Sequence, residues 1–141
     1  MIYLDVLSLP VGGPRYLAVL SHEFQHAIHW YTDPTEETWV NEGLSELATE
    51  IAGYRSTFQD QYLRQGTASL TRWPLAPTTT PEHYNAASLF FLFFTDRYGG
   101  VENLWQLLQE PQDGVAGLNA YLQRHNTTFE EVFWDWTVAN L

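Results

Sequence analysis

"SHEFQHAIHW", Ser21 to Trp30, holds three of the chain's five histidines. Around it the apolar residues Leu17, Leu20, Phe24, Ala27 and Ile28 recur at helical spacing, which makes this stretch decisive for the fold. The spacing predicts a helix from about Arg15 to Trp30, with Pro14 in its first turn. On such a helix His22 and His26, at i and i+4, share one face a turn apart. Two neutral imidazoles so placed can reach one zinc ion, which is the physical content of an HExxH pattern. Glu23 lies about 100° round the helix from His22, so it does not readily share the metal but can reach a water held on it. The roles separate into two ligands and one base for an activated water. The alternative is an amphipathic helix whose histidines sit at the core boundary.

A catalytic zinc requires a third protein ligand and an open fourth position. "WVNEGLSELA", Trp39 to Ala48, supplies a candidate. Glu42, Glu46 and Glu50 fall at i, i+4 and i+8, one face of a second helix expected from about Glu36 to Tyr54. Three spaced glutamates are ordinarily a solvated face. Here Val40, Leu44 and Leu47 are interleaved with them, and Gly43 costs a helix about 1 kcal/mol. A glycine inside a helix suggests close approach of something to its backbone.

HExxH followed by a helix carrying "NEG", Asn41 to Gly43, resembles the gluzincin zinc metallopeptidases, the thermolysin and aminopeptidase-N-like group, in a minimal or truncated form. The resemblance implies that Glu42 is the third zinc ligand. It implies that Glu46 hydrogen-bonds the first motif histidine, His22, and orients it. Asn41 matches the family's asparagine, without a firm role. The interval between His26 and Glu42 is shorter than in the best-known members, so Glu46 is the competing ligand, with Glu50 then behind it. Glu42 is preferred because it sits in the NEG motif and leaves an acid at i+4. His29 lies nearly on the face of His22, about 10.5 Å further along the axis. It is read as structural, or as supporting the ligands.

"PEHYNAASLFFLFFTDRYGG", Pro81 to Gly100, reads as a helix capped by Thr80, opened by Pro81 and ended by Gly99-Gly100. In aminopeptidase-like gluzincins the corresponding helix begins near a tyrosine that donates to the oxyanion. The resemblance therefore implies that role for Tyr84, with His83 as the alternative donor at the same turn. One such donor is worth about 2.7–4 kcal/mol in the transition state. The bland reading of Tyr84 is a packing residue. The run Leu89 to Phe94 is read as core, and Trp134 and Trp136 as core or interface.

Elsewhere, Ile2 to Leu9 reads as a strand ended by "PVGGP". A short helix is expected over Thr57 to Arg64, and an irregular stretch over Gly66 to Pro81. Further helices are expected at about Val101 to Gln109 and Gly114 to His125. Thr127 with Glu130 reads as a capping box for a last helix, to about Asn140. The expected fold is mainly α: a gluzincin-like helical catalytic subdomain with one N-terminal strand, a remnant of the zincin sheet. It is one domain over 1–141, with edge strand and turn at 1–13, a zinc-binding helix pair at 14–55 and a helical part at 56–141.

The formal charge of −11 disfavours nucleic acid and anionic membrane surfaces as partners. The longest apolar run, nine residues from Ala86 to Phe94, is too short to span a bilayer, which needs about 20. Without cysteine there are neither disulfides nor thiolate metal sites. That leaves the compartment open; a secreted or cell-envelope location is the expectation over a cytoplasmic one, with any export signal outside this chain. A lone strand leaves backbone groups unpaired, so it would pair with a neighbour, a route to homo-oligomers. The expected function is hydrolysis of peptide or protein substrates with one Zn2+ ion and Glu23 as general base. No G-x-M-E-N-type motif precedes the zinc helix, which favours an endopeptidase over an aminopeptidase. The rival is a zinc-binding helical interaction module, or an inactive fragment of a larger peptidase.

Overall fold

The computed structural model describes residues 2–54, 68–74 and 80–140. The histidine-rich stretch lies in helix α1, Pro14–Thr32, opened by Pro14 as the sequence suggests. Helix α2 spans Thr38–Ile51 and α3 spans Pro81–Arg97. After a 3₁₀ turn at Val101–Asn103 come α4, Leu104–Leu108, and α5, Gly114–Leu122. A second 3₁₀ turn, Gln123–His125, leads to α6, Phe129–Ala139. The described residues are thus mainly helical, with no strand among them. The helix expected over Thr57 to Arg64 lies outside the described residues.

The strand expected at Ile2 to Leu9 is absent, and with it the pairing edge it would offer. Asp5 turns the backbone instead: its carboxylate accepts from the Leu7 N–H at 3.0 Å and the Ser8 hydroxyl at 2.6 Å, and its carbonyl accepts from the Leu9 N–H. An aspartate that captures nearby donors competes with extended structure, and no described strand lies alongside to pair with. Tyr3 and Leu7 are left exposed.

The core is built where α3 packs on α2. Phe90, Phe91 and Phe94 of α3 are fully buried. Trp39 of α2 stacks on Phe91, with ring centres 5.9 Å apart, and meets Phe90 and Phe129 edge-on. Gly43 is the closest point of approach. A Cβ there would lie 2.5 Å from the Phe91 ring and 3.0 Å from the Ala87 methyl, which is why this helix position carries none. Leu118, Tyr121, Leu122, Val132 and Trp136 close the core from α5 and α6. Trp134, by contrast, faces solvent.

The last capping box is formed one residue later than the sequence suggests, by Thr128 and Glu131 rather than Thr127 and Glu130. Glu131 accepts from the Thr128 N–H at 3.0 Å, and Thr128 Oγ1 accepts from the Glu131 N–H. Core packing fixes this register, since it turns Phe129, Val132 and Trp136 to one inward face. The second helix likewise starts at Thr38, not Glu36. Asp33 holds the preceding turn by accepting from the Thr35 N–H and hydroxyl.

Helix α1 docks on the opposite terms from α3. Among the described residues its extensive neighbour is α2. The apolar positions that located this helix in the sequence divide: Leu17, Leu20 and Ile28 are half-buried, with Ile28 against the core, Phe24 and Ala27 are exposed, and His29 is the one fully buried side chain. The side turned to α2 carries His22, His26 and His29. It meets Asn41, Glu42, Ser45, Glu46 and Thr49, so the α1–α2 seam is polar.

Candidate metal centre

The seam brings three ligand-type atoms together. His22 Nε2 and His26 Nε2 are 3.0 Å apart, as helical i, i+4 spacing allows. Glu42 Oε2, from α2, lies 3.2 Å from the first and 3.3 Å from the second. The three atoms form a nearly equilateral triangle. Metal–ligand bonds of about 2.0–2.2 Å at tetrahedral angles place ligand atoms about 3.3–3.5 Å apart, so the triangle is close to one face of such a tetrahedron. The three side chains are 16–24% exposed.

Each imidazole is held from behind. Glu46 Oε1 lies 3.2 Å from His22 Nδ1. Asn41 Oδ1 lies 2.9 Å from His26 Nδ1, with Ser45 Oγ at 3.0 Å. Acceptors at Nδ1 keep the proton there and turn the Nε2 lone pair toward the centre of the triangle. Glu42 Oε2 is then buried with no hydrogen-bond donor of its own. Three inward lone pairs around an orphaned, buried carboxylate oxygen are a misfit for a proton-poor cluster and a fit for a cation. His22, His26 and Glu42 can hold a metal ion.

Without an ion, a proton has to take that place. Burial pushes the His22 pKa down, but the Glu42 and Glu46 carboxylates outweigh it and raise it to about 9. Burial likewise opposes the Glu42 charge, yet the two imidazoles bring its pKa down to about 2. Both shifts describe one shared proton in a tight cluster rather than two independent groups.

Glu42 and Glu46 occupy different sides of His22: Glu42 faces Nε2 and Glu46 faces Nδ1. Glu23 is half-buried on α1 beside His22. Tyr84, in the first turn of α3, is half-buried with its ring 4.9 Å from that of Trp73. Its phenol pKa is raised by burial and then by the charges of Glu42, Glu46 and Glu23. The hydroxyl therefore keeps its proton at neutral pH. His83 is engaged in the cap of α3, where its Nδ1 accepts from the Thr80 N–H.

Sequence reading left Asn41 without a role and passed over Ser45. The available signal was their spacing: at i and i+4 on α2, both flank Glu42 on the seam. No family model matches the chain, and no curated protein or solved structure matches it.

Proposed function

We propose that the chain is a zinc-dependent peptidase of gluzincin type, acting on unstructured peptide or protein segments as an endopeptidase. The observation that carries the reading is the triangle of His22 Nε2, His26 Nε2 and Glu42 Oε2, with both Nδ1 atoms held by separate acceptors. Two imidazoles and one carboxylate match zinc, whereas magnesium and calcium prefer oxygen throughout. Three protein ligands rather than four is the catalytic rather than the structural pattern. Zinc bound there would lower the pKa of a water to about 7 and polarise the scissile carbonyl.

The chain's own residues supply the rest. Glu23 takes the water's proton as the carbonyl is attacked and passes it to the leaving amine. Tyr84, whose pKa is raised by burial and by the charges of Glu42, Glu46 and Glu23, keeps its proton and donates it in a hydrogen bond to the developing oxyanion. Trp73 braces the Tyr84 ring. Glu46, Asn41 and Ser45 hold the two imidazoles in the tautomer that binds metal.

The deciding experiment compares wild type with Glu23→Gln in zinc content and in cleavage of an unfolded protein such as casein. The expected result is chelator-sensitive cleavage by wild type, and full zinc with cleavage reduced about 10²–10⁴-fold in the variant. Equal cleavage by both chains would remove Glu23 from the mechanism. Zinc held by wild type without turnover would leave the interaction module standing.

A further inference from the structure

A second group of donor atoms lies one helical turn beyond the first. His29, Asp33 and Glu36 each offer one atom within 4.8 Å of the others. His29 closes the buried side of this group. It is 1% exposed, and its Nδ1 is buried without a hydrogen-bond partner. Burial holds its pKa below the usual histidine value, so the ring is neutral and cannot balance the two carboxylates.

The carboxylates are already positioned by one oxygen each. Asp33 Oδ1 accepts from the Thr35 N–H at 3.2 Å and its hydroxyl at 3.1 Å. Glu36 Oε1 accepts from the Glu37 N–H at 2.6 Å and the Gly114 N–H at 2.7 Å. Their second oxygens receive no hydrogen bond among the described residues. Asp113 adds a third negative charge nearby, and no described arginine pairs with any of the three. Burial, with Asp33 and Asp113 behind it, pushes the Glu36 pKa up to about 7 against the hydrogen bonds from the Gly114 and Glu37 N–H groups.

We infer that His29, Asp33 and Glu36 form a second metal site, which takes a divalent cation of the zinc class. A nitrogen donor beside two carboxylates selects such an ion over calcium or magnesium. The site is structural in kind. It joins the last turn of α1 to the turn before α2 and, through Glu36 and Gly114, to the start of α5. The ligand atoms lie within 4.8 Å of one another, and no His29–carboxylate ion pair is formed among the described residues. Binding therefore draws in the half-buried carboxylates rather than the buried imidazole. The inference is independent of peptide hydrolysis.

The test is zinc stoichiometry on the full, metal-stripped chain, by equilibrium dialysis and elemental analysis. Wild type is expected to bind two ions, His22→Gln/His26→Gln one, and Asp33→Asn/Glu36→Gln one, with excess Ca2+ displacing neither. Adding His29→Gln to the His22→Gln/His26→Gln chain should weaken the remaining ion at least tenfold. A single ion in wild type that His22→Gln/His26→Gln abolishes would overturn the site, as would wild-type stoichiometry in Asp33→Asn/Glu36→Gln. If that double variant fails to fold, Co2+ added to His22→Gln/His26→Gln decides. Visible d–d bands bleached by Asp33→Asn alone support the site, and no bands overturn it.

Discussion

Asn41 and Glu46 touch no reacting atom in the proposed chemistry, yet they set which nitrogen each ligand ring presents. Glu46→Gln and Asn41→Ala should each weaken zinc about 10–100-fold with helical content unchanged, read by competition against a chromophoric chelator. Tyr84→Phe should leave zinc affinity alone and lower kcat about 10²–10³-fold, because it removes one oxyanion donor and no ligand. The cluster also fixes a pH dependence. In the ion-free chain the raised His22 pKa contributes stability that is complete below about 6.5 and lost as pH rises through about 9. The lowered Glu42 pKa contributes stability present above about 4.5 and lost as pH falls through about 2. Zinc competes with the His22 proton, so its affinity should climb about tenfold per pH unit between 6.5 and 9. Calorimetry in buffers of different ionisation enthalpy should show about one proton released near pH 7.5. A pH-independent affinity across that range would remove His22 from the site.

At the level of the helices, Gly43 tests how closely α2 and α3 must meet. Alanine would regain about 1 kcal/mol of helix propensity, but its methyl would press on Phe91, hemmed in by Trp39, Phe90 and Phe94. Overpacking of this kind costs about 1–3 kcal/mol, so Gly43→Ala should lower the denaturant midpoint. That close approach was legible in the sequence as a glycine inside an apolar helical pattern. So were the described helices, and the i, i+4 pairs His22–His26 and Glu42–Glu46, because each is a local regularity. The docking of α1 was not legible. Of Leu17, Leu20, Phe24, Ala27 and Ile28, which share the helical apolar pattern, Phe24 and Ala27 are exposed, whereas histidines meet Asn41, Glu42 and Ser45. Burial there follows from polar pairing between two helices, which no periodicity within one of them reports. The N-terminal strand failed for a related reason: alternating apolar residues specify an extended segment only when a neighbouring strand accepts its hydrogen bonds.

Across the whole molecule, the two sides of α2 are held by different forces. Toward α3 the contact is aromatic and apolar; toward α1 it is a polar seam whose central oxygen is orphaned without a cation. Metal should therefore stabilise the chain unevenly. Chelation should lower the thermal midpoint, and amide exchange should accelerate first over residues 14–32, while α3 and α6 keep their protection. Uniform loss of protection would mean that α1 is held by more than the seam. No helix of the described residues is long and apolar enough to cross a membrane, so the exposed Phe24 and Tyr31 on α1 belong to no spanning segment.

A cation in the triangle would also act on the unfolded chain. It joins His26 to Glu42 across an intervening stretch of fifteen residues, in a sequence with no cysteine. A covalent cross-link over a loop of that length is worth about 3 kcal/mol in lost chain freedom. The ion would impose a comparable restraint that a chelator or acid can undo. A chain cleaved once between Asp33 and Thr35 should then stay associated when loaded with zinc and separate when stripped of it, which size-exclusion chromatography can read directly.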